Sequence, residues 1–418
     1  MKYSTSCSFC DSSDMSLIMD FGEMALAGGF VTADQFNREK KYPMRLYFCE
    51  SCFGVQIVDK INESDLFEDY FYFSSSINTL SDHFKNHAKE LVKRFFPKPS
   101  ESKVMEFGCN DGILLRPLSE EGIGTLIGID PAVNVVNQIE IPNVSVINDF
   151  FNENSAQSIV KEFGKMDMVL ANNVYAHISD MQGITRAIDQ VLDEEGVFIF
   201  EVHYLDKIIN DMQYDMIYHE HIYYHSLLSL ENHFKRYGMV IFDVTPLQIH
   251  AGSMRYYVRK DHQKSSNPVK DSVELLRNEE IKKGFDRFST FSSFAKKIKQ
   301  QKSELNNCLN EIKKQGKTIA GYGASGRANT MIQFCGIDHN QLDYMIDDAP
   351  AKQGFYTPGS HFLIKSSEVL DIDPPDYILV FAWSFFEEIS KKNKKYLLDG
   401  GKMIIPLPEV RIVDYSDE

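Results

Sequence analysis

Four cysteines stand in two pairs near the start of the chain, Cys7-Ser-Phe-Cys10 and Cys49-Glu-Ser-Cys52, in a sequence that holds only seven. Thiolates at this spacing place a tight turn on one side of a metal, and two such turns close a tetrahedral zinc shell. A shell of four protein ligands is structural, because no position is left for a substrate. Four reduced thiols without metal, or one redox C-x-x-C pair, are the competing readings. The interval between the pairs is longer than in compact zinc ribbons, and Ala27-Gly28-Gly29 with Pro43 supplies the turns that an inserted loop needs. A second concentration of chemistry lies further on. Five of the 12 histidines fall between His203 and His233, and Tyr214-Asp215-Met216-Ile217-Tyr218-His219-Glu220-His221 sets three titratable groups side by side. His219 and His221 around Glu220 could ligate a transition metal. General acid–base work is the stronger reading, since imidazole titrates near neutral pH and a neighbouring carboxylate can orient it. His203, His225 and His233 read as hydrogen-bonded structural positions. His177, in Asn172-Asn173-Val174-Tyr175-Ala176-His177, and the run Tyr70-Phe71-Tyr72-Phe73-Ser74-Ser75 fit the same pocket on topological grounds.

These groups need a scaffold, and the chain supplies two glycine turns. Val104-Met105-Glu106-Phe107-Gly108-Cys109-Asn110-Asp111-Gly112 reads as a strand, a turn and the start of an apolar helix, 113–118. Backbone N–H groups at such a turn can approach a ligand closely. Further strands are expected over 125–129, ending at Asp130, over 144–147, before Asp149-Phe150, and over 168–171, 197–202, 239–244 and 254–258. Strands alternating with helices and a late strand pair predict a doubly wound α/β sheet. The turn lacks the G-x-G-x-x-G order, which disfavours a pyrophosphate grip. It resembles class I S-adenosylmethionine-dependent methyltransferases. That resemblance implies that Glu106 and the glycine turn at Gly108 face the methionine part, that Asp130 binds the ribose, and that Asp149 and Phe150 flank the adenine, with Asn110, Gly112 and Asn172 also binding the cofactor.

Beyond Asn267 two charged helices, 273–283 and 291–314, read as a linker. Thr318-Ile319-Ala320-Gly321-Tyr322-Gly323-Ala324-Ser325-Gly326 then completes G-x-G-x-x-G, with Asp347 after a strand over 342–346. By pattern this is a dinucleotide fingerprint. The same N–H groups would cradle the diphosphate of a nucleotide sugar, with Ser325 and Arg327 reaching phosphate oxygens.

The frame is soluble and acidic. At 418 residues the chain predicts two to three domains, and 43% apolar with 25% charged residues is ordinary globular composition. The net charge of −16 opposes nucleic acid and anionic lipid. No run approaches the roughly 18 apolar residues of a membrane span, and Met1 to Asp11 is polar where a secretory signal needs an apolar core. A cytoplasmic location is expected. The expected fold is α/β, in four parts: a zinc-binding domain over 1–73, a seven-stranded Rossmann-like methyltransferase domain over 74–266, a helical linker over 267–316, and a second Rossmann-like domain over 317–418.

Taken in order, the two cysteine pairs, Tyr72 to Ser75, Ala176-His177, Tyr218-His219-Glu220-His221, His250-Ala251-Gly252-Ser253-Met254-Arg255, Gly321 to Asn329 and Asp347 to Gly354 resemble the zinc-containing sugar C-methyltransferases. The resemblance spans the whole chain. It implies transfer of a methyl group from S-adenosylmethionine to a sugar carbon, C3, of a dTDP- or GDP-linked 4-keto-6-deoxy sugar. His250, Ser253, Arg255, Tyr322, Ser325, Arg327, Asn329, Asp347 and Lys352 would then hold the substrate. The family usually carries lysine where Arg327 stands, a planar fork in place of a point charge. The chemistry needs a base for the hydrogen next to the ketone and donors for the enolate oxygen. His221 is expected as base, oriented by Glu220, with Tyr72, His177 and Tyr218 around the sugar, and Glu220 as base is the alternative assignment. An NAD-dependent nucleotide-sugar oxidoreductase or epimerase, and a zinc module that only binds, are the alternatives from other classes.

Overall fold

A computed structural model of the chain describes residues 2–3, 6–61, 78–262 and 265–415. Tyr72 lies outside them.

The first strands are β1 (Lys2–Tyr3), β2 (Met15–Ala25), β3 (Lys41–Cys49), β4 (Val55–Ile57) and β5 (Asp59–Lys60). In β3, Met44, Leu46 and Phe48 are buried while Arg45 and Tyr47 are half-buried, the period-two pattern of a sheet with one covered face. β1 and β5 pair with each other, and the sheet that β2, β3 and β4 build is not closed by residues of its own region. Its order is β11-β4-β3-β2, where β11 is Tyr223–Tyr224, placed just after the histidine run. The expected boundary near residue 73 therefore cuts across a hydrogen-bonded sheet.

The second sheet contains β6 (Lys103–Phe107), β7 (Thr125–Ile129), β8 (Val144–Ile147), β9 (Met166–Asn172), β10 (Leu192–His203), β12 (Met239–Leu247) and β13 (Ser253–Lys260). Its order is β12-β13-β10-β9-β6-β7-β8, parallel except for β13 against β10 and β12. Central strands such as β9 are apolar on both faces because helices cover both. The strand order reverses between β6 and β9, so the crevice for ligands opens beyond their carboxyl ends.

The helices Asp271–Lys283 and Phe288–Lys314 follow. In the second, Phe291, Phe294, Ala295, Ile298, Leu305, Leu309 and Ile312 are buried at helical spacing. The last sheet holds β14 (Ile319–Tyr322), β15 (Tyr344–Ile346), β16 (Ile364–Lys365), β17 (Tyr377–Val380), β18 (Lys402–Ile405) and β19 (Arg411–Val413), in the order β16-β15-β14-β17-β18-β19 with only β19 antiparallel. One apolar core runs from Met19 and Phe48, through Tyr214 and Ile217, to Phe291, Met331 and Leu379. The zinc-binding and C-terminal regions thus share packing with the segment that carries the histidines. No helix among the described residues is long and apolar enough to cross a membrane.

Candidate active site and metal centre

The two cysteine turns meet. The Sγ atoms of Cys7, Cys10, Cys49 and Cys52 all lie within 4.8 Å of one another, with Cys7–Cys52 and Cys10–Cys49 at 3.6 Å. Zn–S arms of about 2.3 Å set tetrahedral sulfurs about 3.8 Å apart, so the cage is sized for zinc. Each turn is closed by its backbone: Asp11 N–H donates to Cys7 O at 2.8 Å and Phe53 N–H to Cys49 O at 2.9 Å. Hydrogen bonding to Cys49, with burial, raises the Cys7 and Cys52 thiols, while the same contacts draw Cys49 down. Four crowded thiols cannot ionise together without a cation, and Zn2+ is the ion this donor set fits.

At the first glycine turn, Gly108 (φ 64°) and Gly112 (φ 77°) sit in the left-handed region. A Cβ at Gly108 would collide with Val174, from the loop that leads to His177. Glu106 is buried and accepts from Asn172 Nδ2 at 2.9 Å, while Glu106 Oε2 and Asn172 Oδ1 have no partner among the described residues. Burial pushes the Glu106 carboxyl up to about 8. Two unsatisfied buried acceptors side by side fit the ammonium of a methionine moiety. Asp130 is locked by Asn110 N–H at 3.0 Å and Ala132 N–H at 2.9 Å. Asp149 turns back onto the Phe150 N–H at 2.7 Å, and the Phe150 ring is exposed beside it. The residues present fit S-adenosylmethionine.

The histidine run lies where three regions converge. His221 Nδ1–H donates to Met216 O at 2.9 Å, so Nε2 carries the ring's lone pair and accepts from Tyr218 Oη at 3.0 Å. Burial, then His177, holds His221 well below the usual histidine range and neutral. The His177 ring stands 4.8 Å from it at 68°. Glu220 is raised to about 7 by burial and hydrogen-bonds the Gly28 backbone. The expectation that Glu220 orients His221 is corrected: Met216 takes that part, and Glu220 turns away to the Ala27–Gly29 loop. A transition-metal site here is also not formed. His219 is buried and bonds Pro43 O at 3.2 Å, and the metal-ligand cluster among the described residues is the cysteine one.

The expected substrate residues divide. Ser325 caps the helix Gly326–Cys335 through the Ala328 N–H, and Gly326 lies 3.6 Å from Ala27 Cβ and 3.7 Å from the Tyr218 ring, measured from its would-be Cβ. Asn329 Nδ2 donates to Ala27 O at 2.6 Å. These three come together with the histidine run. Arg327 forks onto Asp215, Nε to Oδ2 at 2.9 Å and Nη2 to Oδ1 at 3.1 Å. Lys352 pairs with Asp347 at 3.2 Å and donates to Ala324 O at 2.7 Å, and Tyr322 Oη donates to Asp348 at 2.6 Å. Arg255 is placed elsewhere: it is buried and bonds Glu201 at 2.8 Å and Glu90 at 2.9 Å. Burial alone would raise Glu201, yet His83, His87 and Arg255 hold it down to about 2. Arg255 is thus spent on structure, since freeing it would strand a buried carboxylate. Ser253 is buried and bonds Ile249 O at 3.3 Å, and His250 occupies a left-handed turn at φ 51°.

Sequence reading missed Gly28, Asp215 and Trp383. Gly28 reads as a loop turn, yet a Cβ there would come 3.0 Å from Glu220 Oε1. Asp215 was legible only as part of the titratable run, and the single tryptophan gave no signal at all.

Three family models match the chain: a zinc binding domain over residues 7–67, a methyltransferase domain over 81–244 and a C-methyltransferase C-terminal domain over 248–408. Among curated proteins, "C-methyltransferase NovU" of Streptomyces niveus is 29% identical over 411 residues, covering 97% of this chain and 96% of that protein. A ubiquinone biosynthesis O-methyltransferase of Azorhizobium caulinodans is 26% identical over 125 residues, 29% of this chain and 46% of its own. The solved magnesium protoporphyrin IX methyltransferase of Synechocystis is 14% identical, covers 43% of this chain and 83% of that one, and has a TM-score of 0.34.

Proposed function

We propose that this chain, an S-adenosylmethionine-dependent methyltransferase with zinc-binding and C-methyltransferase C-terminal regions, methylates carbon 3 of a nucleotide-linked 4-keto-6-deoxy sugar. C-methylation is favoured by the full-length likeness to a protein named a C-methyltransferase. The observation that carries the sugar reading is the convergence of Gly28, Tyr218 to His221 and the Ser325–Gly326 turn, which puts proton-handling groups beside a helix start suited to phosphate. The division into 1–73, 74–266, 267–316 and 317–418 serves this reading, with zinc, cofactor, linkage and nucleotide as the respective tasks.

The bound cofactor supplies an electrophilic methyl group. A 4-ketone makes the hydrogen on carbon 3 acidic, and His221, kept neutral by burial, takes that proton on Nε2 once the Tyr218 hydroxyl that donates to it turns to the ketone oxygen. Tyr218, in contact with Nε2, and His177 polarise the ketone oxygen as enolate charge develops. Tyr72, expected beside the sugar, lies outside the described residues. Glu220 stands next in line as the alternative base, because its raised carboxyl titrates near neutral pH. Ser325 and Arg327, whose Nη1 is not used on Asp215, hold the diphosphate, with Tyr322, Lys352, His250 and Ser253 around the sugar, while the buried Asn329 ties the Ala27 loop beside them. The alternative, an NAD-dependent oxidoreductase or epimerase, would place a ribose at Asp347, whose carboxylate accepts from the Ala349 N–H at 2.9 Å and pairs with Lys352.

The test is incubation with S-adenosylmethionine and a panel of dTDP- and GDP-linked 4-keto-6-deoxy sugars. A product heavier by one CH2, with the label at carbon 3, is expected. Methyl transfer to oxygen, or none with any sugar while NAD binds, would overturn the reading.

A further inference from the structure

Asp215 is fully buried, and two side chains from the C-terminal region surround its carboxylate. Arg327 forks both oxygens, and Trp383 Nε1–H donates to Oδ2 at 2.9 Å. The Arg327 guanidinium also lies over the Trp383 ring, 4.9 Å from its centroid. Next to it, Tyr214 is bolted down as well, its Oη donating to Gln301 at 2.6 Å on the long helix. On the other side, Met216 presents the carbonyl that receives His221 Nδ1–H.

Consecutive residues thus join the C-terminal glycine turn to the imidazole. We infer that Asp215, held by Arg327 and Trp383, is a positioning residue that acts through the Met216 carbonyl to fix the tautomer and direction of His221. The inference rests on the reading of His221 as the group that handles the proton. A planar fork suits this task where an ammonium does not: arginine spans both carboxylate oxygens and stacks on the indole at once. It also divides the work of Arg327 between the carboxylate and any phosphate.

The test uses Asp215→Asn in the full chain, with Arg327→Lys as a milder companion. Expected for Asp215→Asn is a fall in kcat of about tenfold or more, with KM for the sugar and Kd for S-adenosylmethionine within about twofold, because a misdirected base weakens the transition state and not ground-state binding. Arg327→Lys should fall between it and wild type in kcat. Trp383, the only tryptophan in the chain, should shift its emission in both variants. Unchanged kcat in Asp215→Asn, or a loss confined to KM, overturns the inference. If wild type methylates none of the sugar probes, the functional reading has failed instead. The clamp is then judged by tryptophan emission and by amide exchange over residues 214–221, both of which must change in Asp215→Asn.

Discussion

At the scale of single residues, buried titratable groups make the sharpest predictions. Glu106 is pushed up to about 8 by burial, so at pH 7 it is mostly protonated before cofactor arrives. An ammonium against Oε2 favours the carboxylate, so binding at pH 7 should release close to one proton. Affinity should therefore rise as pH climbs towards 8 and level off above it, where the carboxylate is already formed. Calorimetry in buffers of different ionisation enthalpy measures the release, and Glu106→Gln should abolish it. The two neighbours in the reaction separate just as cleanly. His221→Asn should lower turnover by about a hundredfold or more, the scale of a lost general base, and stop exchange of the carbon 3 hydrogen in deuterated water. Glu220→Gln should keep that exchange. The opposite pattern would exchange their roles.

Among the elements, the second glycine turn shows that one motif serves several physical needs. Gly321 is squeezed between Met345 and Phe381, so its lack of a side chain is a packing requirement of β14. Gly323 has φ 93°, and a Cβ there would sit 2.7 Å from Ala382 Cβ. Gly323→Ala should cost about 1–3 kcal/mol of stability from strain and overpacking, read from urea unfolding. Gly326 meets only ordinary contacts, with Ala27 and Tyr218. Gly326→Ala should change stability by less than about 0.5 kcal/mol while lowering turnover, because the added methyl enters the space between the three regions. Stability unchanged in the first variant, or lost in the second, would contradict this division.

For the whole molecule, the zinc site belongs to the same structure as the chemistry. Phe9, inside the first cysteine turn, packs edge-on against Tyr223, His225 and His233. Tyr223 pairs in turn with Gln56 in the first sheet. Cys52→Ser should therefore lose zinc, lower Tm and reduce methyl transfer together, because metal binding energy is folding energy. Metal analysis alongside thermal unfolding checks this. A variant that lost zinc yet kept wild-type Tm and turnover would show the modules to be independent.

The sequence by itself determined what depends on local spacing. The cysteine pairs announced a zinc shell, the apolar strands and glycine turn announced the seven-stranded sheet, and Glu106 and Asp130 stood at strand ends where the turn dictates. His221, Tyr218 and His177 stood out by residue type in segments that follow strands of the sheet, and the fold brings their rings together. Tertiary structure decided every partnership made across long separations. It sent Arg255 to Glu201, turned Glu220 to Gly28, gave the orientation of His221 to Met216, and brought Asp215 together with Arg327 and Trp383. A side chain's type says what bond it can make. Which of several charged or polar groups lies within about 3 Å of it is settled only when sheets and helices pack, and burial then raises the cost of leaving any of them unpaired.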